Sequence, residues 1–271
     1  MNLFERTIKL KIGNTLINGL NIAFEIEKDL SPAPNNCHIE IFNLSKENRE
    51  TLTRQKRIRA LLKAGYRDSL GILFKGDLLS CKHIKEGPTW KTSLAIGDGL
   101  NLIQTARLEK SYAKGTPIKT IIKDLAEKLG LGPGNALHQL EKLNDNLDRG
   151  FMVSGNAMEE LSNILKSQGY SVSIQDGAIQ ILKNGQALSK VAISLDSNSG
   201  LIGTPETGLD GAMTVKTVLM PELRPGGNIF VKSQVFNGYA LIERVRFEGA
   251  NFGKTWGAEI AARRLVNYQA L

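Results

Sequence analysis

Long apolar runs are missing from this 271-residue chain. None approaches the ~18 residues that a helix needs to cross a bilayer, so we expect no membrane anchor. The first ten residues, Met1–Leu10, hold neither a long apolar segment nor a small-residue cleavage site. A secretory signal is therefore not expected. Together these absences indicate a protein that is made and assembled in a cytoplasm.

Cysteine and histidine are also scarce. Cys37 and Cys81 are the two cysteines, which is too few for a disulfide framework in a chain of this length. In a reducing cytoplasm we expect two free, partly buried thiols. The three histidines, His38, His83 and His138, follow no metal-binding spacing. We expect them to be ordinary surface or core residues.

No stretch of the sequence has the residues of a known catalytic or metal-binding motif. The glycine-containing segment around Gly134 lacks the Gly-Lys-Ser/Thr of a phosphate loop. Asn144, Asn146 and Asp148 alternate as in a calcium loop, but Arg149 occupies the glycine position and the bidentate glutamate is missing. We therefore predict no catalytic residue, no cofactor and no metal, and favour a structural role over an enzyme.

Positive charge is in excess, with a formal net charge of +8. Residues 1–100 contribute most of it, with 16 Lys and Arg against 11 Asp and Glu. The excess concentrates in a possible basic patch: Arg54, Lys56, Arg57, Arg59 and Lys63. The patch is either a solvated face or a surface for nucleic acid or an acidic partner. No aromatic residues are interleaved with it, which argues against single-strand binding.

The first 100 residues read almost entirely as strands. Ile22, Phe24 and Ile26 alternate with polar or small residues, as in a half-buried strand. Further strands are predicted at Thr7–Ile12, Cys37–Asn43, Ile58–Gly65, Gly71–Cys81 and Lys91–Gly97. One short helix is predicted to begin after Ser45, which can cap its free amides.

Residues 106–190 change to a mixture of helices and strands. Thr116 and Pro117 predict a helix start, and apolar residues from Ile118 to Leu129 recur on one helical face. A weaker helix is predicted at Ala136–Leu143, and Asn156 predicts the cap of another at Ala157–Ser167. Asp176-Gly177 predicts a hairpin turn. The segment reads as a small α+β unit.

From Val191 the chain returns to β-structure. Ser197–Gly211 is rich in Gly, Ser, Thr and Pro, so we predict an extended or mobile loop. A strand at Ala212–Met220 follows. Leu219–Ala261 then reads as strand, turn, strand, turn, strand.

Part of the C-terminal region resembles an earlier segment. Gly76–Gly87 and Gly238–Gly249 both run from Gly to Glu-Gly at the same spacing. Each leads through a turn to one of the two tryptophans, Trp90 and Trp256, which begin the return strands. The similarity is either chance between two hairpins or a duplicated β-domain. A duplicated domain would let three chains form a ring of six similar domains.

Several motifs resemble a known family. The C-terminal ones are Gly203–Thr207, Leu219–Gly226, Ile229–Ser233 and Arg244–Trp256, and the N-terminal ones are Cys37–Ser45 and Tyr112–Pro117. Taken in their order along the chain, they resemble phage baseplate hub proteins of Mu-like and T-even-like contractile-tailed phages and related injection machines. Each motif is only moderately specific, but together they cover most of the chain.

The resemblance implies an α+β, mainly β fold with two similar tube-type β-barrel domains. They would be residues 1–105 and 191–271, flanking an α+β insert at 106–190. It implies a homotrimeric structural hub, a symmetry adaptor that joins the sixfold tail tube to the threefold central spike in the virion. Its partners would be the tail tube, the spike and other baseplate proteins, with DNA passing transiently through the lumen.

Two alternatives stay open at this point. One is another tube-end or distal-tail adaptor, and the less favoured one is a cell-wall or nucleic-acid-processing enzyme. In the hub interpretation, the loop Pro221–Gly227 lies at a subunit or ring-to-ring contact, with Pro221, Glu222, Leu223, Arg224 and Pro225 as interface residues. An ordinary solvent-facing turn is the other interpretation of this loop. Trp90, Trp256, Gly87 and Gly249 are predicted to be structural anchors of the two hairpins.

Overall fold

The computed structural model describes residues 5–54, 58–67, 69–189, 191–208 and 210–265. The chain divides into two compact units. The first unit combines both ends of the chain: Met1–Asp29, Asn35–Gly97 and Ala187–Leu271. The second consists of Leu30–Pro34 and Asp98–Gln186.

The N-terminal part of the first unit is mainly β, as the alternating pattern predicted. Its elements are β1 (Arg6–Ile12), β2 (Thr15–Ile17), β3 (Ile22–Asp29), β4 (Asn36–Phe42), α1 (Lys46–Arg54), β5 (Arg59–Tyr66), β6 (Ser69–Glu86) and β7 (Thr89–Gly97). In β4 the side chains of Cys37, Ile39 and Ile41 are buried, and those between them are not. The Ser45 hydroxyl accepts a hydrogen bond from the Asn48 amide at 3.3 Å, which confirms the predicted cap of α1.

The second unit follows in the chain. Its elements are α2 (Leu100–Thr105), β8 (Arg107–Tyr112), α3 (Ile118–Leu129), α4 (Ala136–Leu140), β9 (Phe151–Asn156), α5 (Ala157–Ser167), β10 (Tyr170–Gln175) and β11 (Ala178–Lys183). The buried faces of α3 and α5 share one apolar core with β10 and β11. The Asn156 side chain caps α5 by accepting from the amides of Met158 and Glu159. Asp176 and Gly177 both have positive φ angles, 55° and 83°, as a two-residue hairpin turn requires.

Two features of this unit differ from the sequence prediction. Thr116 does not cap α3, because its hydroxyl donates to the Ala113 carbonyl at 2.8 Å and Pro117 occupies the cap position. Strands β8 and β9 form an antiparallel pair that was not predicted. Most of their residues are not buried, so they lack the apolar alternation that marks a strand.

The C-terminal part returns to the first unit. Its elements are β12 (Ala192–Leu195), β13 (Leu201–Thr207), β14 (Ala212–Val218), β15 (Asn228–Lys232), β16 (Asn237–Ala250) and β17 (Trp256–Arg264). The prediction of a loop over Ser197–Gly211 was wrong, because β13 lies within it and pairs with β14. Gly203 and Pro205 hid this strand, since both residues are unfavourable in a regular ladder.

Both ends of the chain form one 13-stranded sheet. Its main path runs β13-β14-β17-β16-β3-β4-β7-β6-β5-β1-β2. Outside this path, β15 pairs with β16, and β12 pairs with β15. All pairings are antiparallel except β12 with β15. Among the described residues no pairing closes this sheet into a barrel. The two ends are joined where β3 pairs with β16.

The strand order occurs twice within this sheet. The N-terminal copy has the order β3-β4-β7-β6-β5-β1, and the C-terminal copy has β13-β14-β17-β16-β15-β12. Corresponding strands also follow one another in the same order along the chain. One difference is that β1 pairs antiparallel with β5, whereas β12 pairs parallel with β15. Another is that α1 connects β4 to β5, whereas a non-helical segment connects β14 to β15.

Matching β-bulges fix the register between the two copies. The ladder of β6 with β7 shifts between Leu78 and Ser80, and that of β16 with β17 shifts between Ile242 and Arg244. The extra residues are thus Leu79 and Glu243. The sequence match, which aligns Gly76 with Gly238, would place Leu79 with Leu241. The structural register therefore differs from that match by two residues.

The two tryptophans are equivalent in the structural register. Trp90 pairs with Lys85, six residues after the first bulge, and Trp256 pairs with Gly249, six residues after the second. Trp256 begins its strand and Trp90 is the second residue of its own. The prediction that both lie at the start of return strands is thereby confirmed.

A polar contact joins β8 to α3 in the second unit. The Tyr112 hydroxyl donates to Asp124 Oδ2 at 2.7 Å, and Lys110 Nζ lies 2.6 Å from the same oxygen. Burial raises the pKa of the Asp124 carboxyl, but the hydrogen bonds and positive charge of its partners outweigh burial and lower the pKa below its ordinary value. The carboxylate is thus stabilised in its charged form.

We predict that Asp124→Ala lowers the free energy of unfolding at pH 7 by about 1–3 kcal/mol, because two donors lose a charged acceptor. The lowered pKa means that this contribution is present above the unfolded-state value, about 4, and is lost as pH falls through the folded-state value. Urea unfolding at pH 7 and pH 3 measures both effects. The control is Glu127→Ala, which removes an exposed pair with Lys123. Equal losses in the two variants at pH 7 would contradict the prediction.

Candidate interaction surfaces

Among the described residues no group of three or more His, Cys, Asp or Glu side chains could hold a metal ion. No helix in this part of the chain is long and apolar enough to span a membrane. Cys37 is buried and Cys81 half-buried, and both are free. Burial raises the pKa of each thiol, so neither is an activated nucleophile.

The central seam, the pairing of Ala23–Asp29 in β3 with Arg244–Ala250 in β16, joins the two copies. Two ion pairs cross it: Arg246 to Glu25 at 2.7 Å and Arg244 to Glu27 at 3.4 Å. All four side chains are about half exposed, and such pairs contribute about 0–1 kcal/mol each. Their clearer role is to set the register of the two strands, because glutamates at alternate positions of β3 face arginines at alternate positions of β16.

Trp256 lies at the end of the central seam. Its ring packs edge-on against Phe24 at 5.9 Å and Tyr66 at 6.3 Å between centroids, and the Arg6 guanidinium lies 5.4 Å from its ring. A Cβ atom at Gly249 would lie 2.9 Å from Trp256 and 2.7 Å from Phe24. Gly249 therefore provides the space that this aromatic cluster occupies.

Trp90 has a different environment at the equivalent position. It is half-buried, and the Arg49 guanidinium of α1 stacks over its ring at 4.0 Å. The preceding turn uses Gly87, whose φ is 56°. The first tryptophan thus anchors a helix to its hairpin, whereas the second anchors one copy to the other.

His83 connects α1 to the same hairpin. Its Nδ1 lies 2.9 Å from Thr92 Oγ1, and its Nε2 lies 3.1 Å from Thr53 Oγ1 and 3.2 Å from the Arg49 carbonyl. Burial lowers the pKa of His83, as does the positive charge of Arg49, although the hydrogen bond to the carbonyl opposes them. The imidazole is therefore kept neutral and has a structural role.

The segment Pro221–Gly227 is packed against its own sheet. The Gly226 amide donates to the Ile242 carbonyl at 2.7 Å, and the Ile242 amide donates to the Gly227 carbonyl at 2.9 Å. Leu223 and Pro225 are buried and Pro221 is half-buried, whereas Glu222 and Arg224 are exposed. The exposed side chains of this segment are thus the two charged ones.

The predicted basic residues are only partly brought together. Arg54 ends α1, Arg59 and Lys63 lie on the outward face of β5, and Lys56 and Arg57 lie outside the described residues. Strand pairing adds basic residues that the sequence prediction did not group with them. On that outward face, Lys9 pairs with Lys63, and Lys11 and Lys75 flank Leu61 from either side.

The sequence prediction also missed the charges of the central seam. Glu25 and Glu27 alternate in β3, and Arg244 and Arg246 alternate in β16. Such complementary alternation is a signal of neighbouring strands. It could have indicated the pairing of β3 with β16 before the structure was known.

We predict that Trp256→Ala costs about 3–5 kcal/mol of unfolding free energy, as expected for a large buried aromatic residue. The matched control is Trp90→Ala at the equivalent position. It should cost less, about 1–2 kcal/mol, because the ring is half-buried and the cation–π contact is worth about 0.5–1 kcal/mol. Urea unfolding measures both variants. Equal costs would show that the two anchors do not differ as described.

A second prediction concerns pH. The pKa of folded His83 lies below its unfolded value of about 6.5. The contribution of the neutral ring is therefore fully present above that pH and is lost as pH falls through the folded-state value. Wild-type stability should fall more than that of His83→Gln between pH 7.5 and pH 5 in urea unfolding. The control is His138→Gln, since that side chain is 70% exposed. An unchanged pH dependence in His83→Gln would contradict this role.

Three solved structures share the fold across nearly the whole chain. They are a 43 kDa tail protein of prophage MuSo2 from Shewanella oneidensis (TM-score 0.67, 10% identity, 96% of this chain and 98% of that chain), a tail protein from Neisseria meningitidis (0.67, 12%, 96% and 97%), and an E. coli protein (0.65, 14%, 97% and 78%). The last is described as a type VI secretion system component with structural similarity to the T4 bacteriophage tail proteins gp27 and gp5.

Comparison with curated proteins found no match. The model of one protein family, described as baseplate hub gp41, matches residues 3–255. Members of this family are structural components of the phage tail, and the match confirms the resemblance seen in the motifs. This chain belongs to the baseplate hub gp41 family.

Proposed function

We propose that this protein is the central hub of a tail baseplate and acts as a symmetry adaptor. In this proposal three chains form a ring whose six similar β-domains contact the sixfold tail tube, while the threefold assembly contacts the central spike. The observation that carries the proposal is the twice-occurring strand order within one chain. Three chains with two similar parts each give six positions around one axis.

The proposed domains follow the two copies. Residues 1–105 and 191–271 would form the two tube-type β-barrel domains, each built on one copy of the strand order. Residues 106–190 would form the α+β insert. The proposal needs no cofactor and no catalytic residue, because an adaptor works through its interfaces. The hub would assemble in the cytoplasm of the bacterial host and remain in the virion.

The partners follow from this position in the tail. Besides further copies of itself, the hub would contact the tail tube protein, the spike protein and other baseplate proteins. Glu222 and Arg224 would provide the charged contact expected of the segment Pro221–Gly227. The outward basic face, with Lys9, Arg59 and Lys63, would contact an acidic neighbour or DNA passing through the lumen, since either supplies negative charge.

We predict a particle of three times 29.7 kDa, about 89 kDa, in light scattering, and a ring with a central hole in negative-stain images. Glu222→Ala and Arg224→Ala should both fold normally. Loss of the trimer in either variant would place this segment at a contact between chains, whereas an intact trimer would leave it for contacts with partners. A strictly monomeric particle at high protein concentration would contradict the proposal. A closed hexamer would favour the other candidate, a tube-end or distal-tail adaptor.

A further inference from the structure

One edge of β16 is shared by two strands. Its first residues, Asn237–Leu241, pair with β15, and its last residues, Arg244–Ala250, pair with β3 of the other copy. The opposite edge pairs with β17. The C-terminal copy therefore receives an additional strand directly beyond its bulge.

The equivalent edge of β6 receives no such strand. Ser69–Asp77 pair with β5, and the Leu78 amide donates to the Ile58 carbonyl at 2.8 Å. Beyond the bulge, Ser80–Glu86 pair with β7 on one side. On the β5 side this segment has no strand partner among the described residues. An open edge of this kind is a template for another strand.

A strand with one open edge, β13, is available in the C-terminal copy. β13 corresponds to β3: Thr207 pairs with Met213 of β14, as Ile26 pairs with Cys37 of β4. Met213 pairs with Ala262, which also pairs with Ile242 just before the bulge of β16. In the same way, Cys37 pairs with Ile96, which also pairs with Leu78 just before the bulge of β6. Within the described part of the chain β13 pairs with β14 alone, so its outer edge is open.

We propose that β13 of one chain pairs antiparallel with the end of β6 in a neighbouring chain of the same protein. In the central seam, Phe247, four residues after the bulge, pairs with Ile26. The equivalent residues are His83 and Thr207. The register therefore places Thr207 opposite His83, Glu206 opposite Ile84 and Gly208 opposite Lys82. This inference rests on the proposed trimer and names the contact that closes it.

One of the two ion pairs of the central seam has a charged equivalent at this open edge. Arg246, three residues after the bulge, forms a 2.7 Å ion pair with Glu25. Lys82 lies at the equivalent position of β6, and Glu206 at the equivalent position of β13. Both are exposed, and neither forms an ion pair in the part of the chain that the structure describes. In the proposed contact, a second chain supplies the ion-pair partner of each side chain.

The proposed pairing is short. The ladder of β13 is irregular between Ile202 and Glu206, and Pro205 has no amide hydrogen to donate. Regular pairing is therefore limited to Glu206–Gly208 opposite Lys82–Ile84. β13 belongs to the C-terminal copy of the strand order and the edge of β6 to the N-terminal copy. The contact between two chains is therefore head-to-tail and can close into a ring.

Charge reversal tests the proposed contact in the full-length chain. Lys82→Glu and Glu206→Lys should each weaken trimer formation about tenfold, because like charges then face each other. The double variant should restore assembly to near the wild-type level. Mass photometry over a dilution series measures the trimer fraction, and Lys166→Glu, an exposed change on α5, is the control. Wild-type assembly in both single variants would overturn the proposed contact between Lys82 and Glu206.

Cysteine cross-linking tests the register independently. In a Cys81→Ser background, Ile84→Cys with Glu206→Cys should give disulfide-linked dimers and trimers under oxidation. The mismatched pair Ile84→Cys with Lys216→Cys, one strand further away, should not. A trimer that shows neither the charge effect nor the matched cross-link would overturn the strand pairing alone. A wild-type chain that stays monomeric would overturn the proposed function as well.

Discussion

The pairing of β3 with β16 is the constraint on which the rest of the first unit depends. It joins segments more than 200 residues apart in the chain and turns two sets of strands into one sheet. Its backbone hydrogen bonds are reinforced by Trp256 at one end and by the Arg–Glu pairs along its exposed face. Without it, the two copies would share no strand pairing among the described residues.

The two copies keep the same strand order but have diverged where they meet other groups. In the C-terminal copy, β3 pairs with the end of β16, so Trp256 is buried against Phe24 and Gly249 must be small. In the N-terminal copy, α1 covers the equivalent tryptophan from one side, and Arg49 and His83 hold that helix in place. The edge of β6 beyond its bulge has no strand partner on the β5 side among the described residues. In the proposed trimer, this difference between the two copies of the strand order would provide the contact between chains.

Local patterns in the sequence were sufficient for many elements. The apolar face of α3, the Asn156 cap and the Asp176-Gly177 turn each depend on neighbouring residues, and each was predicted. Strand β13 was missed because Gly203 and Pro205 mask its pattern. The central seam was missed because no local pattern links β3 to β16, although their alternating charges carried a signal. The burial of Leu223 and Pro225 was not predicted, because the segment is held against its sheet by backbone hydrogen bonds between Gly226–Gly227 and the distant Ile242, which the sequence of the segment does not reveal.

Hydrogen exchange in the assembled and the diluted protein tests the central claim most directly, namely that the seam within the chain is repeated between chains. The amides of Arg244–Ala250 should be protected in both states, because β3 pairs with them in every chain. Within Lys82–Ile84 and Glu206–Thr207, the amides that do not already bond to β7 or β14 should gain protection only in the assembled state. Assembly that leaves both short segments exchanging as fast as in the monomer would contradict the account.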